Sequence, residues 1–139
     1  MKLKTFHLSN NRKDDVTKSI SFVLQARPEI AFAYVFGSFT DDLPIHDVDV
    51  GVYLSDARKS PALLYALDLS DNLSRQVHIP VEVTVLNGAP SSFLYHVIKG
   101  RLLFIRDEEV YTQVVEDTVR RYLDIRPILR RSTKEAFAS

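Results

Sequence analysis

Cysteine is absent from this chain of 139 residues, which excludes disulfides and thiolate metal sites. An excess of either charge is absent too. Eighteen Lys plus Arg stand against 18 Asp plus Glu, so the formal net charge is zero and nothing points to a broad nucleic-acid-binding face. No apolar run approaches the roughly 20 residues of a membrane-spanning helix. The N-terminus, Met1-Lys-Leu-Lys-Thr-Phe-His7, has no apolar signal core, and a cytoplasmic protein is the expectation. Repeats, low-complexity tracts and the GxG or Walker patterns of many nucleotide binders are missing. His7, His78 and His96 show no metal-ligand spacing and read as ordinary residues. What is present is ordinary for a globular protein: 45% hydrophobic and 26% charged residues, enough for a single domain, 1–139, with one core.

Two apolar runs frame the most informative segment. Ala31-Phe-Ala-Tyr-Val-Phe36 and Val50-Gly-Val-Tyr-Leu54 both have the β-branched and aromatic character of buried strands. Between them lie Gly37-Ser38 and, after eight residues, Asp47-Val48-Asp49. In a strand, residues i and i+2 share a face, so Asp47 and Asp49 project together, roughly 6.6 Å apart along the backbone. Two such carboxylates repel unless water or a cation compensates them. Gly37-Ser38 offers a flexible turn, a small hydroxyl and backbone N–H groups able to hold a phosphate if a helix begins there. A third acid, Glu82, stands mid-strand in Pro80-Val-Glu-Val-Thr-Val-Leu86. An unpaired acid buried in such a strand costs several kcal/mol unless neutralised; the alternative is an edge strand whose Glu82 and Thr84 face solvent.

Three acids beside a phosphate-holding turn suit nucleotidyl transfer. Two Mg²⁺ ions about 3.5–4 Å apart can clamp the attacking and leaving oxygens of an in-line displacement. Mg²⁺ prefers carboxylate and phosphate oxygens, which fits acids rather than His or Cys. Asp47 and Asp49 would bridge the ions, and Glu82 would hold the ion beside the incoming hydroxyl and help take its proton. Other residues carry weaker alternatives. His46 reads as a solvated loop residue, with phosphate contact as its functional alternative, and Asp41 and Asp42 read as turn formers. Arg120-Arg121 and Arg130-Arg131 read as a solvated helix face or a docking surface for an acidic partner. Tyr34 and Tyr53 read as core aromatics.

The remaining pattern places these strands among helices. A helix from an Asn10 or Asn11 N-cap to about Ala26 would bury Val16, Ile20, Val23 and Leu24, ending before Pro28. A second, opened by Ser60-Pro61 and running to about Gln76, is supported by the apolar spacing of Leu63, Leu64, Leu67 and Val77, with Asp71 and Arg75 spaced to pair on its outer face. A short helix near 92–99 closes at Gly100, Arg101–Ile105 is a fourth strand, and a final helix from about 108 is bent or ended at Pro127, with 132–139 frayed. The order α-β-β-α-β-α-β-α predicts an α/β (α+β) fold, a small mixed sheet flanked by helices.

At Gly37-Ser38, Asp47-Val-Asp49 and Glu82 the chain resembles the nucleotidyltransferase superfamily of DNA polymerase beta type, and within it the minimal nucleotidyltransferases of the MntA antitoxin type. The likeness continues through Val97-Ile-Lys-Gly100-Arg-Leu-Leu-Phe-Ile-Arg-Asp107 and Tyr122-Leu-Asp124-Ile-Arg-Pro127, covering 12–130. It implies a polymerase beta-like fold and a toxin–antitoxin role: transfer of AMP from ATP to a tyrosine hydroxyl of a small helical HEPN-type RNase toxin (HepT-like), with Mg²⁺ as cofactor. It matches Gly37 and Ser38 to the phosphate-binding turn and Asp47, Asp49 and Glu82 to the three metal ligands. Homo- or hetero-oligomers are compatible with it. Two departures stand out: the segment Phe39–His46 is shorter than usual and carries neither glycine nor a basic residue, and the third acid is Glu rather than the commoner Asp. The alternative readings are an antitoxin that neutralises its partner by binding alone and a small-molecule (antibiotic) nucleotidyltransferase, for which the chain leaves little room.

Overall fold

Seven consecutive buried residues, Ile30–Phe36, form the strand β1, and the fold is arranged around it. The computed structural model describes residues 8–40, 47–56 and 61–137, the last of these (125–137) as backbone. The chain runs α1 (Asn10–Gln25), β1, a 3₁₀ turn (Gly37–Thr40), β2 (Val48–Leu54), α2 (Ala62–Val77), β3 (Val81–Val85), α3 (Ser91–Ile98), β4 (Arg101–Ile105) and α4 (Glu108–Phe137). The strands make one mixed sheet in the order β3-β2-β1-β4. β1 is antiparallel to β2 and β4, whereas β2 and β3 are parallel. A parallel pair needs a crossover, and α2 supplies it.

Because side chains alternate along each strand, the sheet has two apolar faces. One carries Val35, Val48, Val50, Val52, Val81 and Val83 against α1 and α2. The other carries Phe32, Tyr34, Phe36 and Leu86 against α3 and α4. On this aromatic face Phe32 stacks on Tyr53 with centroids 5.2 Å apart, and the Tyr34 and Tyr111 hydroxyls lie 2.7 Å apart. Both helical layers therefore bury a stripe against the sheet, as an α/β sandwich requires.

Two expectations about the helices need correction, the cap of α1 and the end of α4, and α2 forms as expected but buries a different stripe. Ser9, not Asn10 or Asn11, caps α1: its side chain accepts a hydrogen bond from the Arg12 N–H at 3.2 Å. In α2 the buried stripe is Ala66, Leu69, Leu73 and Val77, while Leu63, Leu64 and Leu67 stand 70%, 63% and 58% exposed. The Asp71–Arg75 ion pair forms as expected, at 2.8 Å. Finally, α4 passes through Pro127 to Phe137. One proline removes a single i→i−4 hydrogen bond, and helix-forming residues on both sides carry the helix across it. Ser60, which was to cap α2, lies outside the described residues.

Candidate active site

The start of β2 and the start of β3 lie side by side in parallel register, Val48 opposite Val81 and Asp49 opposite Glu82. On its other flank Asp49 is paired with Phe36, the last residue of β1. The 3₁₀ turn leaves β1 immediately after Phe36, so all five sequence-predicted site residues collect at one end of the sheet. Asp47, Asp49 and Glu82 each place a carboxylate oxygen within 4.8 Å of the others. Asp47 and Asp49 are half-buried and Glu82 is exposed. The edge-strand reading of Glu82 thus holds for its exposure, yet its carboxylate still faces the aspartates.

The position of Glu82 depends on how the edge of β3 is held. The outward N–H groups of Val81 and Val83 would be unpaired at a sheet edge. Instead they donate to the hydroxyls of Ser74 and Ser70 of α2, each at 2.8 Å. Ser70 in turn donates to the Ala66 carbonyl at 2.6 Å. Glu82 stands between the two bonded residues, so α2 sets the depth of the third acid.

Three facing carboxylates leave an electrostatic mark. The Asp49 carboxyl is pushed up to about 6, first by burial and then by the charges of Asp47 and Glu82. Among the described residues no cation pairs with it, and a divalent cation would relieve the repulsion. Hard oxygen donors converging from two strands fit Mg²⁺ chemistry. Among the described residues this is the group of acids and imidazoles able to hold such an ion.

The 3₁₀ turn packs directly on this cluster. Gly37 has φ +76, and a Cβ built there would lie 2.6 Å from Asp49 Oδ2. Glycine is required twice over, for its backbone and for room beside the carboxylate. A left-handed residue next to helical ones is a backbone pattern that can turn successive N–H groups toward one side and hold an anion. The turn is closed by the Thr40 hydroxyl donating to the Gly37 carbonyl at 2.8 Å, and Ser38 is half-buried within it. The sequence makes phosphate holding conditional on a helix beginning at Gly37-Ser38; a single 3₁₀ turn, Gly37–Thr40, begins there.

Other candidates separate from the site. His46, Asp41, Asp42 and His7 lie outside the described residues, as do the side chains of Arg130 and Arg131. His78 caps α2 and His96 packs edge-on against Phe36, both in ordinary structural places. Tyr34 is buried and Tyr53 packs on the aromatic core, as expected. Arg120 and Arg121 are exposed, and Arg121 pairs with Asp117 at 3.1 Å. The serines that anchor β3 could not be singled out from sequence, because helical Ser residues carry no mark of which edge they meet.

Comparisons with known proteins agree with this fold. The sequence model of the family described as polymerase beta, nucleotidyltransferase, matches residues 18–109. No characterised protein matches at the level of sequence. Among solved structures, a chain of the tri-AMPylated Shewanella oneidensis HEPN toxin in complex with MNT antitoxin is similar at a TM-score of 0.64. It is 16% identical, covering 90% of this chain and 98% of that one. A toxin–antitoxin structure with AMP-PNP gives a TM-score of 0.68 at 16% identity, covering 88% and 98%. An MntA–HepT toxin–antitoxin structure gives 0.58 at 15% identity, covering 90% and 99%. At such identities the likeness is one of fold. The family match spans the strands that carry Gly37, Ser38, Asp47, Asp49 and Glu82, and the protein accordingly belongs to the polymerase beta nucleotidyltransferase family, whose chemistry is nucleotidyl transfer.

Proposed function

We propose that this chain is an antitoxin that transfers AMP from ATP, with Mg²⁺, to a tyrosine hydroxyl of a HEPN-type toxin in the cytoplasm. The observation that carries the reading is the cluster of Asp47, Asp49 and Glu82, with carboxylate oxygens within 4.8 Å, against the Gly37-Ser38 turn. The similar structures add the partner class: one holds a tri-AMPylated HEPN toxin, another the ATP analogue AMP-PNP.

Asp47, Asp49 and Glu82 would hold the metal, two Mg²⁺ ions in our reading, which neutralises the phosphates and the attacking oxygen when bound. Gly37 and Ser38 orient the outer phosphates through N–H groups and the Ser38 hydroxyl. Glu82, the exposed acid on the edge strand, faces the side from which a protein hydroxyl arrives and accepts its proton. The acceptor oxygen bonds to the α-phosphorus as the bond to the β-phosphate oxygen breaks, and pyrophosphate departs with the electron pair. The shorter Phe39–His46 segment and the longer Glu82 do not pull the three carboxylates apart, which favours turnover over neutralisation by binding alone.

Incubation with labelled ATP, Mg²⁺ and the product of the neighbouring gene should label that protein on tyrosine. Asp47→Asn combined with Asp49→Asn should reduce labelling at least a hundredfold. Unchanged labelling would overturn the assignment of the acids. Toxin neutralisation that survives the double substitution, with no labelling by the wild type, would establish the binding-only antitoxin instead.

A further inference from the structure

The three acids are held in unequal ways. Asp49 lies on an inner strand, paired with Phe36 on one flank and with Glu82 on the other. Glu82 lies on β3, at the edge of the sheet, with a strand on one side only. Its side chain is exposed, so packing does not fix its rotamers. Glutamate also has one more rotatable bond than aspartate, and the freedom it loses on holding a cation is larger. The position of this carboxylate therefore depends on the backbone that carries it.

On the open side of β3 two hydroxyls take the place of a fifth strand. Ser74 accepts the Val81 N–H at 2.8 Å and donates back to the Val81 carbonyl at 3.3 Å. One side chain thus meets both outward polar groups of that residue. Ser70 accepts the Val83 N–H at 2.8 Å, while its own proton goes to the Ala66 carbonyl. The residues before these serines, Leu69 and Leu73, are fully buried, which sets the rotation of α2 and aims both hydroxyls at the strand. Their spacing also fits. Four helical residues rise about 6 Å and two strand residues about 6.6 Å, so serines at i and i+4 meet alternate residues of the strand. Glu82 is the residue between the two that are gripped.

We infer that Ser70 and Ser74 are positioning residues of the metal centre, holding β3 so that the Glu82 carboxylate shares a cation with Asp47 and Asp49. The inference rests on the reading of the three acids as metal ligands. Metal binding and the grip on β3 are then linked, each strengthening the other. Isothermal titration of the full chain with Mn²⁺ alone, as a stand-in for Mg²⁺, tests this. Ser70→Ala with Ser74→Ala should weaken Mn²⁺ binding about tenfold or more, the range for residues that support metal ligands from behind. Ser70→Thr with Ser74→Thr keeps both hydroxyls and should restore most of the affinity. Arg106→Ala removes hydrogen bonds to Gln25, Arg27 and Ile30 at the opposite end of β1. It should lower the melting temperature yet bind Mn²⁺ as the wild type does, which separates lost position from lost stability. Hydrogen exchange gives a second readout: Mn²⁺ should slow exchange of the Val81 and Val83 amides in the wild type.

The positioning role is overturned, with the metal site left standing, by any of three results. These are wild-type affinity in the alanine pair, an equal loss in the threonine pair or in Arg106→Ala, and wild-type Val81 and Val83 amides indifferent to bound Mn²⁺. A wild type that binds no Mn²⁺, or binds it as tightly after Asp47→Asn with Asp49→Asn, would remove the metal reading and this inference with it.

Discussion

Gly37 shows how much a single residue can constrain the site. Its positive φ and the 2.6 Å approach of Asp49 Oδ2 to a built Cβ leave no position for a side chain. Gly37→Ala should therefore cost about 1–2 kcal/mol, since an L residue in the left-handed region is strained before any clash is added. Chemical denaturation measures that cost, and the same variant should lose most of its transfer activity as Asp49 is displaced. Asp49 itself carries the opposite trade. Its folded pKa of about 6 is raised above the ordinary value of 3.8. Stability from this group is thus fully present below pH 3.8 and is lost as pH rises through about 6. In EDTA at pH 8, Asp49→Asn should stabilise the fold by about 1–2 kcal/mol, the gain shrinking toward pH 4 and being smaller in Mg²⁺. Thermal melts across pH with and without Mg²⁺ check both signs; a variant less stable than wild type at pH 8 without metal would refute the uncompensated-charge argument. At this scale the site was largely legible. Asp47, Asp49, Gly37 and Ser38 announce themselves by spacing next to strands. Glu82 was legible as an acid out of place, although the reason it is tolerated, an exposed edge position, was the weaker of the two sequence readings.

Among the elements, α2 is where sequence and structure part. Leu63, Leu64 and Leu67 recur at helical spacing as convincingly as Ala66, Leu69, Leu73 and Val77, and a pattern of period 3.6 does not say which of two stripes meets a sheet. The deciding partners are the outward N–H groups of β3, which need Ser70 and Ser74 on the inward side. Polar demand at the strand edge, not apolar content, sets the helix rotation. Leu69→Ala should accordingly cost about 2–5 kcal/mol as a fully buried truncation, while Leu64→Ala should change stability by less than about 0.5 kcal/mol. Equal effects of the two substitutions in urea titrations would place the stripes wrongly. The strands, by contrast, were legible nearly to the residue. β-Branched and aromatic runs bounded by Gly, Pro and Asn leave little choice, and the Asn87 side chain, which bonds both the N–H and the carbonyl of Leu54 at 2.8 Å, closes the end of β2.

For the whole molecule, the sequence yields the element order but not the neighbours. Nothing in four apolar strands marks β1 as central, only Glu82 hints that β3 is an edge, and the parallel β2–β3 pairing that joins Asp49 to Glu82 emerges only once α2 crosses over. The sheet thereby has two working ends. One gathers the acids and the Gly37–Thr40 turn. The other is tied together by Arg106, just past β4, whose guanidinium donates to the carbonyls of Gln25, Arg27 and Ile30. These carbonyls close α1 and open β1, so one side chain joins the end of the first helix to the first strand and the last. Its ring contact with Phe104, 5.4 Å from guanidinium carbon to centroid, holds it in place. Arg106→Ala would leave these carbonyls to water and should cost about 1–3 kcal/mol, the range for charged hydrogen bonds. The site lies at the opposite end of β1, and the fold tolerates losses of this size. Well below the melting temperature, the proposed transfer should then proceed at the wild-type rate while the melting temperature falls by several degrees. A variant that melts normally would deny Arg106 its tie; one that melts lower and also loses transfer would show that the two ends of the sheet are not independent.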